Sequence, residues 1–299
     1  MKKDLLTLQD INRDELESIF ELTSRFKIER NMGRKNILAG KSIGLIFAKS
    51  STRTRVSFEV GVNELGGYPL YLDQSKMQVG RGETIADTAH VLSRYLHGIV
   101  IRTFAHSGVE ELAREASIPV INALTDEFHP CQILADLFTI REYSGKVDSS
   151  IRVAFYGDGK SNIANSLILA ARLTGIELVI SSPVGVEPDA ALVAGAPNII
   201  WEKDPLKAAE GVDYFYTDVW VSMGFEEERA ERMKIFTPYQ VNGKLFEIAN
   251  KNAKFLHCLP AHRGEEVSAD VMDDPARSIV FDEAENRLHV QKAVMSMLF

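Results

Sequence analysis

The sequence predicts an α/β protein of two domains, each a mainly parallel sheet flanked by helices. Three observations carry that expectation. Short β-branched or aromatic runs alternate with longer segments of helical period, the alternation occurs twice, and the polar, turn-rich stretch Ser144-Gly145-Lys146-Val147-Asp148-Ser149-Ser150 separates the two series. The length agrees: 299 residues, 45% hydrophobic and 25% charged, suffice for about two domains of the usual ~150 residues. We expect a first domain over 1–144 and a second over 151–285. A terminal amphipathic helix, 286–299, should pack back on the first domain, because its apolar face must be buried.

In the first half the β-rich runs place strands at Ser42–Ala48, Pro69–Leu72, Gly98–Arg102 and Pro119–Ala123. Helical spacing places helices between them at Thr52–Leu65, Glu83–Tyr95 and Val109–Glu115, and a further helix opens at His129. In the second half the expected strands are Arg152–Tyr156, Glu177–Ser181, Asn198–Trp201, Tyr214–Thr217, Phe255–Cys258 and Ser278–Phe281. No repeat of fixed period and no low-complexity tract interrupts the pattern.

A formal net charge of −8 gives no global positive field to hold nucleic acid or an anionic membrane, so a phosphate site must be local. The opening Met1-Lys2-Lys3-Asp4 runs into acids without the apolar stretch of a signal peptide, and no segment approaches the ~20 apolar residues of a membrane span. A cytoplasmic protein is expected. The two cysteines, Cys131 and Cys258, are far apart in unlike contexts and suggest no disulfide framework.

In open α/β sheets ligands bind beyond the carboxyl ends of the strands, so the loops after the strands are where chemistry is sought. The first strand leads into Lys49-Ser50-Ser51-Thr52-Arg53-Thr54-Arg55, where hydroxyls, free amides of a helix N-terminus and a guanidinium converge on a possible anion. The bland alternative is that Ser51 or Thr52 merely caps the helix and the arginines solvate it. Arg102 ends a strand of buried character, where an arginine either pairs with a carboxylate or holds an anion. The next strand-to-helix loop carries His129-Pro130-Cys131-Gln132. Pro130 suits a first helical turn, and His129 and Gln132, three apart, can offer hydrogen bonds to one small group; a structural histidine is the alternative.

Taken together, Ser51-Thr52-Arg53-Thr54-Arg55, Arg102 and His129-Pro130-Cys131-Gln132 resemble the carbamoyl phosphate site of the aspartate/ornithine carbamoyltransferase family, in family order and over essentially the whole chain. The resemblance implies that Ser51, Thr52, Arg53 and Thr54 hold the phosphate while Arg102, His129 and Gln132, with Pro130 and Cys131 beside them, approach the carbamoyl group. Donors such as Arg53, His129 and Thr54 suit the charge that develops on the carbamoyl oxygen. Gln78 lies in a polar, glycine-bearing loop from which the family supplies a residue to a neighbouring subunit, which implies a homotrimer or a multiple of trimers; an ordinary surface loop is the alternative. No cofactor motif or metal-ligand cluster stands out.

In the second half Asp218-Val219-Trp220-Val221-Ser222-Met223-Gly224 and Phe255-Leu256-His257-Cys258-Leu259-Pro260 resemble the ornithine-binding branch. That likeness implies transfer to the δ-amine of ornithine, giving citrulline. Asp218 can pair the α-ammonium, and Asn162 with the backbone at Ser222 and Met223 can bracket the amino-acid head. Cys258 and the Leu259 carbonyl would stand near the δ-amine, whose solution pKa of ~10.4, by analogy with lysine, requires help to shed its proton. Arg287 resembles a family arginine near both substrates. The alternatives are that Asp218 caps a helix, that Met223 only packs, and that Arg287 opens a solvated helix.

Gly157-Asp158-Gly159-Lys160-Ser161-Asn162 superficially suggests a nucleotide loop. Ala154 stands where a Walker A loop needs its first glycine, and Asn162 where a dinucleotide fingerprint needs its third. The run is longer than the family's usual one, which leaves Asn162 and Asn165 both open as the ornithine ligand. Transfer to aspartate, putrescine or a modified ornithine, and a non-catalytic phosphate sensor on the same fold, are the rival functions.

Overall fold

The structure is a computed structural model that describes residues 4–33, 35–79, 82–221 and 229–299. It separates into two compact units, Met1–Phe138 with Glu285–Phe299, and Thr139–Ala284.

The first unit runs α1 (Arg13–Ile28), β1 (Ser42–Phe47), α2 (Thr52–Glu64), β2 (Tyr68–Asp73), α3 (Ile85–Tyr95), β3 (Gly98–Arg102), α4 (His106–Glu115), β4 (Val120–Leu124) and the start of α5 (Pro130–Ser144). Its sheet is wholly parallel in the order β2-β1-β3-β4. Parallel strands covered on both faces need continuous apolar runs. Ile43, Leu45, Ile46 and Phe47 of β1 and Ile99, Val100 and Ile101 of β3 are accordingly buried. Helix α1 was not among the expected elements. Asn12 and Glu15 close a capping box at its start, and Leu16, Ile19, Phe20, Thr23 and Phe26 form one buried face.

The second unit runs β5 (Arg152–Tyr156), α6 (Asn162–Thr174), β6 (Glu177–Ser181), α7 (Ala190–Val193), β7 (Ile199–Trp201), α8 (Pro205–Ala208), β8 (Tyr214–Thr217), α9 (Arg229–Phe236), α10 (Gly243–Ile248), β9 (Lys254–His257) and α11 (Ala269–Met272). Its parallel sheet has the order β7-β6-β5-β8-β9. Ser161 caps α6 by accepting from Ala164 N, and Gly175, at φ +79°, ends it in the left-handed conformation that glycine adopts without penalty.

Ser278–Phe281 is not a strand. Ser278 forms one isolated bridge with Phe255, after which α12 (Val280–Leu298) begins. The β-branched pair Ile279 and Val280 misleads, while Asp282 and Glu283 in the first turn complement the helix dipole. Helix α12 is also less amphipathic than expected. Residues 286–295 are buried on every side, and the helix from Glu285 onward belongs to the first unit. No helix among the described residues is long and apolar enough to cross a membrane.

One ion pair anchors α12 to α2: Lys292 Nζ lies 2.6 Å from Glu64, with the lysine side chain 4% exposed. Burial alone would raise the Glu64 carboxyl; the hydrogen bonds and charges of Lys292 and, to a lesser extent, Arg30 together more than offset it and hold the group below the usual carboxylate range. A depressed folded pKa contributes stability that is fully present above the unfolded value of ~4.3 and is lost as pH falls through the folded value. Glu64→Gln should therefore lower the melting temperature at neutral pH, with the gap to wild type closing below about pH 4. Thermal melts across that range check this, and a gap independent of pH would refute it.

Candidate active site

Each sheet has a place where the chain reverses its direction of winding, between β1 and β3 in one and between β5 and β8 in the other. Ligands bind beyond the carboxyl ends of strands at such switch points. Ser51 lies in the loop after β1, Arg102 closes β3, Asn162 opens the helix that follows β5, and Asp218 directly follows β8.

Ser51 is the N-cap of α2 in extended conformation, yet its hydroxyl makes no capping hydrogen bond. The capping explanation therefore fails, and the first amides of α2 are not occupied by that side chain. Thr52 and Arg53 are exposed on the first turn, and Thr54 is buried. Arg55 is engaged within its own neighbourhood, with Nε 2.8 Å from Glu59 and the guanidinium 3.7 Å from the Tyr71 ring centre. Lys49, which opens that loop and was given no role from sequence, is 2.7 Å from Asp126 and covers the Phe104 ring at 4.3 Å. Its position directly after a strand was the available signal.

Arg102 closes β3 where the register with β4 shifts, Ile101 facing Asn122 but Arg102 facing Leu124. Such an irregularity re-aims the side chain that follows it. His129, buried at the start of α5, accepts the Gln132 and Ile133 amides at its carbonyl, 3.2 and 3.3 Å away. Burial, and then the charges of Arg287 and Arg102, push its imidazole well below the ordinary value, so the ring is neutral. Pro130 opens α5 as expected. Cys131 is buried with its thiol near the Asn122 carbonyl, and burial raises its pKa to about 12. Gln132 is fully buried and donates from Nε2 to Asp136 Oδ1 at 2.8 Å.

Arg287 is not at a solvated helix start. It is 4% exposed and donates from Nη2 to Thr54 Oγ1 at 2.7 Å. Thr54, Arg102, His129 and Arg287 thus share one neighbourhood. Gln78 is exposed in the loop after β2, and among the described residues no hydrogen bond joins its side chain to that group.

In the second unit Asp218 Oδ1 accepts from its neighbour Val219 N at 2.7 Å and from Cys258 Sγ at 3.1 Å. Cys258 follows β9, which lies next to β8, so sheet register brings the pair together. Leu259 takes φ +59°, costly for a branched residue, and the Leu259–Pro260 bond is cis. Its amide donates to His257 Nδ1 at 2.8 Å, so the ring carries its hydrogen on Nε2, facing Glu266 Oε1 at 3.2 Å. Burial pushes the Glu266 carboxyl up, but hydrogen bonds from His257 and the His262 amide hold it below its ordinary value.

Asn162 and Asn165 are both half-buried on the first turn of α6. Ser222 and Met223 lie outside the described residues. Arg232, missed by sequence reasoning, joins the two loops: it donates to Asp158 and to the Trp220 carbonyl, each at 2.6 Å. Gly159 has a packing explanation. A Cβ there would meet the Val186 carbonyl oxygen at 2.6 Å, so the glycine admits a neighbouring backbone.

Among the described residues two groups of potential metal ligands converge, Asp218 with His257 and Cys258, and His262 with Glu265 and Glu266. In the first, both ring nitrogens of His257 are engaged, one by Leu259 and one by Glu266, which leaves no lone pair to donate. In the second, Glu265 is already paired with Arg229.

Cationic and hydroxyl donors gather in the first unit, and a thiol–carboxylate pair stands in the second. Residues 3–142 match the model described as aspartate/ornithine carbamoyltransferase, carbamoyl-P binding domain, and residues 149–298 match its Asp/Orn binding domain. The chain belongs to the aspartate/ornithine carbamoyltransferase family, a family of enzymes. It is 51% identical to the ornithine carbamoyltransferase of Carboxydothermus hydrogenoformans, covering 99% of this chain and 97% of that one. It is 50% identical to that of Thermococcus kodakarensis, covering 99% and 96%. Among solved structures, ornithine carbamoyltransferase from Pyrococcus furiosus superposes with a TM-score of 0.93 at 48% identity, covering 99% of this chain and 96% of that chain.

Replacing Arg287 by Met should raise the His129 pKa, because a neighbouring positive charge opposes protonation. Ring ¹⁵N shifts followed through pH would show it; an unmoved titration would mean that burial alone keeps the imidazole neutral. Gly159→Ala should cost about 1–3 kcal/mol of stability, as overpacked sites do. Denaturant melts measure that loss.

Proposed function

We propose that the enzyme transfers the carbamoyl group of carbamoyl phosphate to the δ-amine of L-ornithine, giving L-citrulline and phosphate by direct nucleophilic attack. The carrying observation is the cluster of buried Thr54, neutral His129 and Arg287 with half-buried Arg102, beside a helix N-terminus whose cap hydroxyl makes no capping bond. The likeness over nearly the full chain to proteins named ornithine carbamoyltransferase supports the choice of acceptor.

In this reading residues 1–144 with helix 286–299 bind carbamoyl phosphate. The α2 amides, the hydroxyls of Ser51, Thr52 and Thr54 and the guanidinium of Arg53 hold the phosphate. Arg102, His129 and Gln132 contact the carbamoyl group, and a neutral His129 donates one hydrogen bond without adding charge. Residues 151–285 bind ornithine, with Asp218, Asn162 and the Ser222–Met223 backbone at the amino-acid head. The δ-nitrogen attacks the carbamoyl carbon, its lone pair forms the new C–N bond, and the C–O bond to phosphate breaks with its electrons leaving on phosphate. The displaced proton passes to Cys258 Sγ as the thiol gives its own to Asp218, with which it is hydrogen bonded. Donors aimed at the carbamoyl oxygen stabilise the charge that develops there.

A homotrimer with the Gln78 loop shared between subunits belongs to the same reading. Val56 and Tyr68, 51% and 64% exposed on α2 and the edge strand β2, offer apolar surface for such assembly.

Incubation with carbamoyl phosphate and, in turn, ornithine, putrescine and aspartate, followed by detection of the ureido product, tests the acceptor. Citrulline should form; product only from another amine would sink the assignment. Arg53→Ala should lower turnover by about 10²–10³-fold, the usual effect of removing one such donor. Cys258→Ser should slow the reaction and move its pH profile, whereas an unaltered profile would reduce the thiol to packing.

A further inference from the structure

We infer that Asp136 sets the donor specificity of the enzyme by fixing which end of the Gln132 amide faces the carbamoyl group. This rests on the reading that Gln132 contacts that group. Gln132 Nε2 donates to Asp136 Oδ1 at 2.8 Å, and both residues are fully buried. A carboxylate only accepts, so the amide end that meets it must be the NH₂, and Oε1 must face the other way. The two residues stand four apart on α5, one turn from each other on the same side. Residues 131–140 are all buried, and close packing of that kind opposes rotation of the amide.

The chemistry of the bound group gives that orientation its meaning. A carbamoyl group differs from an acetyl group by NH₂ in place of CH₃, at nearly equal size. The guanidiniums of Arg53, Arg102 and Arg287 are donors only and can read phosphate and carbonyl oxygens, but not an NH₂. With Nε2 directed to Asp136, the other end of the Gln132 amide, the buried Oε1, is of the acceptor type that an NH₂ requires. The reversed amide would set NH₂ against NH₂ and leave buried donors unpaired. Sites built to hydrogen-bond a substrate N–H reject analogues that lack it far more strongly than sites that distinguish shape alone. Asp136 is thus a positioning residue, acting through Gln132.

The test uses the full chain and two inert ligands that differ only in this feature, phosphonoacetamide with NH₂ and 2-oxopropylphosphonate with CH₃. Dissociation constants are measured by calorimetry for wild type, Asp136→Asn, Gln132→Met and the double variant. Wild type should prefer the amide. In Asp136→Asn the new side-chain NH₂ can turn toward Gln132 and release its orientation, so affinity for phosphonoacetamide should fall by about tenfold or more while the ketone changes by less than about threefold. Gln132→Met should lose the same preference, and adding Asp136→Asn to it should change the ratio no further. If Asp136→Asn proves unfolded by circular dichroism, Asp136→Ser, which leaves room for a water, is measured instead. Parallel weakening of both ligands, or a further shift in the double variant, would overturn the proposal. Loss of preference in Gln132→Met with full preference in Asp136→Asn would overturn it alone, whereas a wild type that binds neither ligand and transfers no carbamoyl group would overturn the carbamoyl phosphate reading as well.

Discussion

The guanidinium of Arg287 lies almost wholly out of water, donates to Thr54 and sets its charge against His129. An isolated buried charge is costly, and truncating one partner of such an arrangement leaves the other groups without compensation. The surroundings of α12 meet that demand. Thr54 comes from the first turn of α2, and Lys292, further along α12, is held by Glu64 at the far end of the same helix. The two helices are therefore tied at two points, which fixes α2 along its length. The first turn of α2 is thus held in place by contacts made from a segment more than two hundred residues away in sequence.

Both units solve the problem of placing chemistry in the same way. Buried parallel strands deliver their carboxyl ends side by side, and the reversal of winding opens a gap between two of them. In the first unit that gap receives cations and hydroxyls; in the second, adjacency of β8 and β9 sets Asp218 against Cys258. The His257 ring next door, with both nitrogens engaged, is a strut and not a base. It holds the Leu259 amide in a left-handed turn, and the turn directs the chain immediately after Cys258.

The central strands of both sheets were legible in sequence because buried parallel strands are continuous apolar runs, a local signal that burial on both faces enforces. Where the signal failed, it failed for a physical reason. Ser278–Phe281 is apolar and β-branched like a strand, yet it begins a helix whose stability comes from burial along residues 286–295, a tertiary effect that no window of residues reveals. Helix α1 is marked mainly by its capping box, a weaker cue than a run of strands. Among candidate site residues, Ser51, Arg102 and His129 stood at strand-to-loop junctions and could be found from position alone. Lys49 could have been found in the same way. Arg232 could not, since it acts from α9 on two loops distant in sequence. Asp136 offered a partial cue, an acid one turn after a glutamine in an otherwise apolar stretch. Its meaning depends on the direction of one hydrogen bond.

The amino-terminal segment adds a detail with a wider bearing. Leu5 forms a parallel bridge with Ile121, exchanging hydrogen bonds with Val120 and Asn122, while the Asn122 side chain donates to the Leu6 carbonyl and Asp4 accepts from the Val120 amide. These contacts occupy the outer rim of β4 and leave β2 as the other border of the sheet. An unprotected sheet border is a template for indiscriminate strand addition, and a sheet with two of them can grow without limit. With one rim already satisfied, accidental strand pairing between copies of this unit stops at a single partner: a fibre has nowhere to continue.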